Sequence, residues 1–270
     1  MGAGIAQTCA LAAHEVTLFD TSEAARTRGM DAVKSSLSRI VKKGTLSEDE
    51  KAEALARITL VGDIDQLKAA DIVIEAIYEN LAAKRELWQT VDGVAQEDAL
   101  LASNTSSLSI TELASFTERP EAFCGLHFFN PVPVLPLVEV VRGLSTAPET
   151  VERAKTFVEG IGKTPIVCED KPGFIVNRLL VPYINDAVHA LVEGVASAED
   201  IDKAMKLGAN MPIGPLALAD LVGLDVALAA GESIYHEFQD PKFRVAPLLR
   251  QMVRAGKLGR KTGEGFYTYE

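Results

Sequence analysis

The 270-residue sequence contains only three cysteines, and their spacing argues against the two structures that cysteines usually build. Cys9, Cys124 and Cys168 lie far apart in apolar segments, and no C-x-x-C pair is present. An odd number of widely spaced cysteines predicts neither a zinc site nor a disulfide framework. We therefore expect no metal and interpret the cysteines as small core residues of a protein in a reducing cytoplasm.

Long apolar runs and positive charge are also scarce. No stretch approaches 18 uninterrupted apolar residues, so we expect no membrane-spanning helix. The apolar start of the chain has no basic segment ahead of it, which argues against a signal peptide. The net charge is −11, whereas general nucleic-acid binding needs a positive field. With 47% hydrophobic and 24% charged residues, the composition is that of a folded globular chain.

The hydrophobic pattern divides the chain near residues 168–173. Before this point short β-type runs alternate with helical ones, which predicts an α/β domain over residues 1–168, a Rossmann-like, doubly wound parallel sheet. After it, strand signals nearly vanish, and the helical spacing over residues 174–195 predicts an all-α C-terminal domain over residues 169–270. Strands are expected at 16–19, 58–61, 72–76, 100–103, 123–128, 137–141 and 165–168, and helices of the first domain at 24–43, 48–56 and 81–95.

The first residues have the form of half a dinucleotide-binding unit. Gly2-Ala-Gly-Ile-Ala-Gln opens a helix, and the strand after it ends at Asp20. An acidic residue at this place of a Rossmann unit accepts hydrogen bonds from ribose hydroxyls and repels a 2′-phosphate, which favours NAD over NADP. An ordinary turn acid would look the same, so Asp20 alone leaves both interpretations open.

A complete glycine-rich fingerprint needs a strand and two more glycines before Gly2, and the sequence begins without them. That first strand would be central in a sheet of order 3-2-1-4-5-6. Its absence would remove two ladders of backbone hydrogen bonds and part of the pyrophosphate cradle. Either Met1 is an internal methionine of a longer natural chain, the hypothesis we favour, or this form is impaired.

The segment Gly125-Leu-His-Phe-Phe-Asn-Pro-Val-Pro predicts a general base. His127 lies in an apolar strand, and Asn130 with the prolines after it forces a turn. If the following β-type run folds back antiparallel about Pro133, its Glu139 faces His127. A buried carboxylate orients an imidazole and stabilises its protonated form, which a general base requires. A purely structural His–Glu ion pair remains the alternative.

Other polar residues lie where ligands of α/β sheets bind, after the strands. Ser103-Asn-Thr-Ser-Ser follows one strand, and Glu79, Asn80 and Lys84 follow another, although turns and helix starts have the same composition. Asn177 lies in an apolar helical stretch and needs a partner or a capping role. A basic run with a single acid could hold nucleotide phosphates or be a solvated helix face; it contains Arg26, Arg28, Lys34, Arg39, Lys42 and Lys43.

Six motifs together carry a resemblance to a known family: EAIYENL, SNTSSL, GLHFFNPVP, KPGFIVNRLL, KLGANMPIGP and GRKTGEGFY. From Gly2 to its end the sequence resembles the 3-hydroxyacyl-CoA dehydrogenases, particularly the bacterial 3-hydroxybutyryl-CoA group. The resemblance implies an oxidoreductase of fatty acid metabolism (β-oxidation) that uses NAD to interconvert short-chain (S)-3-hydroxyacyl-CoA and 3-oxoacyl-CoA. It also implies a homodimer.

The resemblance implies roles for individual residues. His127 would be the catalytic base with Glu139 as its partner, while Ser106 and Asn177 would hydrogen-bond the substrate oxygens and Asn130 would position substrate and nicotinamide. The implied NAD contacts are Gly2, Asp20, Glu79, Lys84, Ser106 and Lys261, and the implied coenzyme A contacts are Ser36, Lys43 and Ser106.

Three other interpretations remain open at this point. Without its first strand the protein could be an inactive relative with a binding or structural role. The enzyme class could be right with another substrate, as in related sugar-acid dehydrogenases, although the basic segment favours a CoA ester. The chain could also be a piece of a multifunctional β-oxidation protein, which its ending GFYTYE argues against.

Overall fold

The computed structural model describes residues 1–269, which form two compact units. The first unit ends at Asp170 and the second begins at Lys171. The elements of the first unit are α1 (Gly2–Leu11), β1 (Val16–Phe19), α2 (Glu23–Lys42), α3 (Glu48–Ala56), β2 (Ile58–Val61), β3 (Ile72–Glu75), α4 (Leu81–Val94), β4 (Leu100–Ser103), α5 (Ile110–Ala114), β5 (Phe123–Phe128), β6 (Leu137–Arg142), α6 (Pro148–Gly160) and β7 (Thr164–Glu169).

The second unit consists of helices joined by turns. Its helices are α7 (Val176–Val192), α8 (Ala198–Gly208), α9 (Pro215–Val222), α10 (Leu224–Phe238) and α11 (Pro247–Arg254). The seven predicted strands and the long helix of the second unit are present; four strands have the predicted ends, and the other ends differ by at most three residues. Within the described part of the chain, no helix is both long enough and apolar enough to cross a bilayer.

The strands of the first unit form two sheets. β1 and β2 pair in parallel, and β3 to β7 form a five-stranded sheet in chain order. The β5–β6 pair is antiparallel, as the proline-rich turn predicts, and the other neighbours are parallel. In a sheet of order 3-2-1-4-5-6, strand 1 lies between strand 2 and strand 4. Strands 2 and 4 of that order correspond to β1 and β3 of this structure. The sheet is therefore divided between β1 and β3, where the first strand of that order would lie.

Apolar strands and the helices on them form the main core of the first unit. All four residues of β4 and all six of β5 are buried. Leu100, Leu126 and Val138 belong to one apolar cluster with Ile5 of α1 and Val158 of α6. The core thus packs β5 and β6 with α1, near the start of the unit's sequence, and α6, near its end. This packing makes the two strands a rigid support for their side chains.

The cysteines are unpaired and only two are fully buried. Burial raises the pKa of the Cys9 and Cys124 thiols to about 12. Cys168 in β7 is half-buried, a difference from the predicted core position. Burial and then neighbouring carboxylates raise its pKa to about 12 as well. All three are held as thiols, which are poor nucleophiles compared with thiolates.

A buried aspartate holds the last described segment onto the second unit. Asp220 of α9 is 1% exposed, and its carboxylate accepts hydrogen bonds from the amides of Phe266 and Tyr267 and from the hydroxyl of Tyr269. A Cβ on Gly265 would lie 2.0 Å from Asp220 Oδ1, so only glycine fits there. The motif GRKTGEGFY therefore has a structural explanation in this unit.

We predict that Asp220→Asn lowers the free energy of unfolding by at least about 2 kcal/mol, because an amide presents an N–H group where the site supplies only donors. Urea unfolding monitored by circular dichroism measures this. The matched control is Asp240→Asn, in which the amide oxygen can still accept the bond from Lys242 N. Equal stability of the two variants would contradict the structural role of Asp220.

Candidate active site

A histidine–carboxylate pair lies on the antiparallel strands β5 and β6. His127 and Glu139 are direct partners in the register, and partners in an antiparallel pair point to the same face of the sheet. His127 Nδ1 lies 2.7 Å from Glu139 Oε2. The side chains are 7% and 0% exposed. The prediction that these residues face each other across the turn is confirmed.

This hydrogen bond determines how the neutral imidazole carries its proton. An ionised carboxylate can only accept, so Nδ1 bears the hydrogen and Nε2 bears the lone pair. The ring of Phe129 lies with its centroid 4.5 Å from that of His127 and restricts the imidazole on one side. The imidazole is thereby held in the orientation and tautomer that a base acting through Nε2 requires, with a carboxylate beside Nδ1.

The turn between β5 and β6 is fastened at two places. Lys163 Nζ donates to the carbonyl oxygens of Val132 and Leu135 at 2.6 and 2.8 Å, and burial lowers the pKa of this lysine. On the other side a Cβ on Gly4 would lie 3.0 Å from Val132 Cβ. The turn therefore packs against the first turn of α1. Asn130 lies in this turn and is exposed.

The segment after β4 is bound to the segment after β3. Glu79 Oε1 accepts hydrogen bonds from the amides of Ser106 and Ser107 at 3.1 and 3.2 Å and from the hydroxyls of Thr105 and Ser107. Asn104 Oδ1 accepts from Phe128 N at 2.9 Å, which ties this segment to the end of β5. Ser106, predicted as a site residue, therefore lies in a segment tied to the strand that carries His127.

The ionisation of Glu79 reflects this environment. Burial by itself would raise its pKa, but the Lys84 ammonium and the hydroxyl donors Thr105 and Ser107 outweigh burial and leave the pKa below its ordinary value. Glu79 is thus held as a carboxylate.

The start of α1 and the end of β1 fit a dinucleotide. The first turn of α1 carries no acidic side chain, so its partial positive charge remains for an anion. A Cβ on Gly2 would lie 3.8 Å from Ala76 Cβ, which places this helix end beside the residue that follows β3. Asp20 is half-buried, and one of its carboxylate oxygens, Oδ1, accepts from Ser22 N.

Two of the three predicted coenzyme A residues, Ser36 and Lys43, lie on α2 and at its end. Ser36 is half-buried, and Lys43 is the exposed residue that caps the helix. Lys34, Arg39 and Lys42 are exposed on the same helix. Arg26 differs from them, because its guanidinium donates to the backbone oxygen of Asp20. Arg26 is therefore not part of the basic surface of α2, which includes fewer than the six basic residues of the sequence segment.

Asn177 and Lys261 belong to the second unit. Asn177 lies in the first turn of α7. Lys261 Nζ forms an ion pair with Asp225 at 2.5 Å. Burial would raise the pKa of Asp225, but Lys261 reverses the effect and lowers it.

Comparison with known proteins shows which family this chain belongs to. Residues 1–171 match the family model for the 3-hydroxyacyl-CoA dehydrogenase NAD binding domain, and residues 173–269 match the model for the C-terminal domain of the same enzymes. The chain belongs to the 3-hydroxyacyl-CoA dehydrogenase family.

Individual members of this family are similar over the whole chain. A probable 3-hydroxybutyryl-CoA dehydrogenase of Bacillus subtilis is 48% identical over 100% of this chain and 94% of the relative. The 3-hydroxybutyryl-CoA dehydrogenase of Clostridioides difficile is 46% identical over 100% of this chain and 96% of its own. The crystal structure of (S)-3-hydroxybutyryl-CoA dehydrogenase from Ralstonia eutropha has a TM-score of 0.97 and 53% identity, covering 100% of this chain and 95% of that one.

Sequence reasoning overlooked two residues that organise this dehydrogenase site. Glu75 is the buried last residue of β3 and pairs with Lys84. Asp170 accepts from Ser109 Oγ and from the amides at the start of α5. The signal for Glu75 was an acid at the end of an otherwise apolar run, IVIEA; for Asp170 the sequence offers no comparable signal.

We predict that the stabilisation supplied by ionised Glu79 disappears in acid. Because its folded-state pKa is lowered, this contribution is present above the unfolded value of about 4.3 and is lost as the pH falls through the folded value. The difference in unfolding free energy between wild type and Glu79→Gln should therefore shrink from pH 7 to pH 3. Glu86→Gln, an exposed change on α4, the helix that follows Glu79, is the control. A difference that does not depend on pH would contradict the assignment.

Proposed function

We propose that this protein is an NAD-dependent dehydrogenase that interconverts (S)-3-hydroxyacyl-CoA and 3-oxoacyl-CoA, with 3-hydroxybutyryl-CoA and acetoacetyl-CoA as its short-chain pair. The observation that carries the proposal is the buried His127–Glu139 pair on the β5–β6 hairpin of an NAD-binding family domain. The substrate follows from the relatives of Bacillus subtilis, Clostridioides difficile and Ralstonia eutropha, whose names specify 3-hydroxybutyryl-CoA.

His127 performs the proton transfer. Its Nε2 lone pair takes the proton of the 3-hydroxyl as the C3 oxygen becomes a carbonyl. The positive charge formed on the imidazole is stabilised by Glu139, 2.7 Å from Nδ1. In the reverse direction the protonated ring returns the proton to the carbonyl oxygen. General-base catalysis of this kind contributes a factor of about 10²–10⁴.

Other residues bind and orient NAD. NAD, when bound, supplies the hydride acceptor. The first turn of α1 at Gly2 suits its pyrophosphate and Asp20 its ribose hydroxyls, while Glu79, Ser106 and Lys261 are further candidate contacts. The resemblance also implies Lys84, although two carboxylates enclose its ammonium.

Substrate binding is assigned to basic, hydroxyl and amide side chains. We propose that Ser36 and Lys43 on the basic surface of α2 bind the coenzyme A moiety, since exposed cations suit its phosphates. Ser106 and Asn177 bind the oxygens of the acyl group, and Asn130 positions the acyl group next to the nicotinamide. Each hydroxyl or amide supplies a hydrogen-bond donor, which a developing carbonyl or alkoxide oxygen requires.

We predict that His127→Ala lowers kcat for NADH-dependent reduction of acetoacetyl-CoA at least about 100-fold, because the proton donor is removed. Glu139→Gln should lower kcat almost as far, since the imidazolium loses its charged partner. Absorbance at 340 nm reports turnover, and calorimetry reports binding of acetoacetyl-CoA, which both variants should retain.

His236→Ala is the matched control, because this histidine is 83% exposed and lies in the second unit. Its turnover should equal that of wild type. Near-wild-type turnover in His127→Ala would refute the catalytic role of this residue. If wild type neither binds NADH nor turns over acetoacetyl-CoA, the proposed function is wrong.

We also propose that the protein is a cytoplasmic homodimer. Its unpaired cysteines suit a reducing compartment. Large apolar side chains on the helices and turns of the second unit are exposed, among them Leu179, Val195, Leu207 and Leu221. Exposed apolar surface of this kind marks interaction sites, and a second copy buries equivalent residues on both chains.

Light scattering should give twice the mass of one chain, and Leu207→Asp should shift the protein toward monomer, because a charge would be buried in the contact. The control is Leu144→Asp, which changes an exposed leucine of the first unit. A wild-type monomer, or an undisturbed dimer in Leu207→Asp and in the equivalent Leu221→Asp, would contradict this dimer.

A further inference from the structure

Lys84 is enclosed by carboxylates. The side chain is 1% exposed, and its ammonium lies 2.8 and 2.9 Å from the two oxygens of Glu75 and 3.0 Å from Glu79 Oε2. An ammonium has three N–H donors, and these three oxygens supply one acceptor for each. A direct contact between Lys84 and a bound cofactor would require at least one of these bonds to be given up.

Glu75 fixes Lys84 from the core side. It is 4% exposed and is the last residue of β3. Besides Lys84, it accepts hydrogen bonds from Ser103 Oγ at 2.6 Å and from Ile77 N at 2.8 Å. A buried carboxylate with this many donors has one orientation, so the position of Lys84 is determined by the strands β3 and β4.

Glu79 connects Lys84 to the segment that carries Ser106. Its two carboxylate oxygens have different partners: Oε2 faces Lys84, while Oε1 accepts from Thr105 Oγ1 and from the amides of Ser106 and Ser107. Rotation of the carboxylate would break both sets of bonds together. The Lys84 ammonium therefore controls the orientation of the group that holds the Ser106 backbone.

We propose that Lys84 and Glu75 are positioning residues that hold Ser106 in place for the substrate through Glu79 and Thr105, and that Lys84 is not a direct cofactor contact. This inference rests on the proposed function, in which Ser106 binds the acyl oxygen. Buried Glu75 and Lys84 thereby orient the partly exposed Glu79 carboxylate, which binds the amides of Ser106 and Ser107.

The first test replaces the ammonium. In Lys84→Met, kcat/KM for acetoacetyl-CoA should fall at least about tenfold, because a small displacement of a substrate-binding group has effects of this size or larger. The Kd of NADH, measured by its fluorescence, should rise no more than it does in Glu79→Gln, which disturbs the same segment and keeps Lys84. Lys155→Met removes a lysine that pairs with Glu152 on α6 and is the control with unchanged values. An NADH Kd raised tenfold with kcat unchanged would overturn the inference and make Lys84 a cofactor contact.

A second pair of variants covers the case in which Lys84→Met does not fold. Thr105→Val removes the hydroxyl that donates to Glu79 and keeps the side-chain shape, whereas Thr105→Ser keeps the hydroxyl. The valine variant should lose kcat/KM for acetoacetyl-CoA about tenfold and the serine variant should restore most of it. Equal activity of the two variants would overturn the inference.

Amide hydrogen exchange separates this inference from the proposed function, since it needs no substrate. In Lys84→Met, or in Thr105→Val, the amides of Ser106 and Ser107 should exchange faster than in wild type, while the amides of β5 should not change. Faster exchange supports the positioning role even if acetoacetyl-CoA proves to be the wrong substrate. Unchanged exchange at Ser106 and Ser107 in folded variants overturns it.

Discussion

The antiparallel hydrogen bonding of β5 and β6 places a carboxylate with no exposed surface against one nitrogen of an imidazole. A buried charge of this kind is costly unless it is hydrogen-bonded, and His127 supplies a donor to Glu139. The remaining features of the hairpin preserve this contact. The register aligns the two residues, Lys163 fixes the turn, and the core on both strands prevents the pair from separating. The same contact determines the tautomer, and thereby which nitrogen can exchange a proton with a substrate.

A second group of charges lies between the end of β3 and the start of α4, and it differs in kind. In the proposed function the His127–Glu139 pair takes up and releases a proton, whereas the Glu75–Lys84–Glu79 group keeps its charges and serves as a fixed framework. Two carboxylates and one ammonium leave a net negative charge, which hydroxyl and amide donors around them compensate. Asn104 joins the segment organised by this group to the end of β5. The part of the first unit that holds Ser106 is therefore connected by hydrogen bonds to the part that holds His127.

The sequence was sufficient for the elements of the fold and for the histidine pair, because both depend on local patterns. Apolar runs located the strands, and the prolines after His127 implied the turn that brings Glu139 back. The break between β1 and β3 followed from counting strands against the Rossmann order. Asp170 could not be found in this way, because a lone acid shows its importance only when a partner distant in sequence is known. Glu75 stood out as an acid in an apolar run, but the pattern did not identify its partner. For Lys84 the resemblance indicated the right region, but the two carboxylates around its ammonium became visible only in three dimensions.

Two buried aspartates of the second unit restrict which substitutions the facing glycines can accept. A Cβ on Gly265 would lie 2.0 Å from Asp220, and a Cβ on Gly214 would lie 2.2 Å from Asp202. Each glycine is thus matched to a longer side chain that occupies its space. A larger residue at either glycine becomes tolerable only after the facing aspartate has been shortened, which itself deprives several backbone amides of their acceptor. Both single steps are unfavourable, so each pair can be exchanged only by passing through a destabilised intermediate sequence.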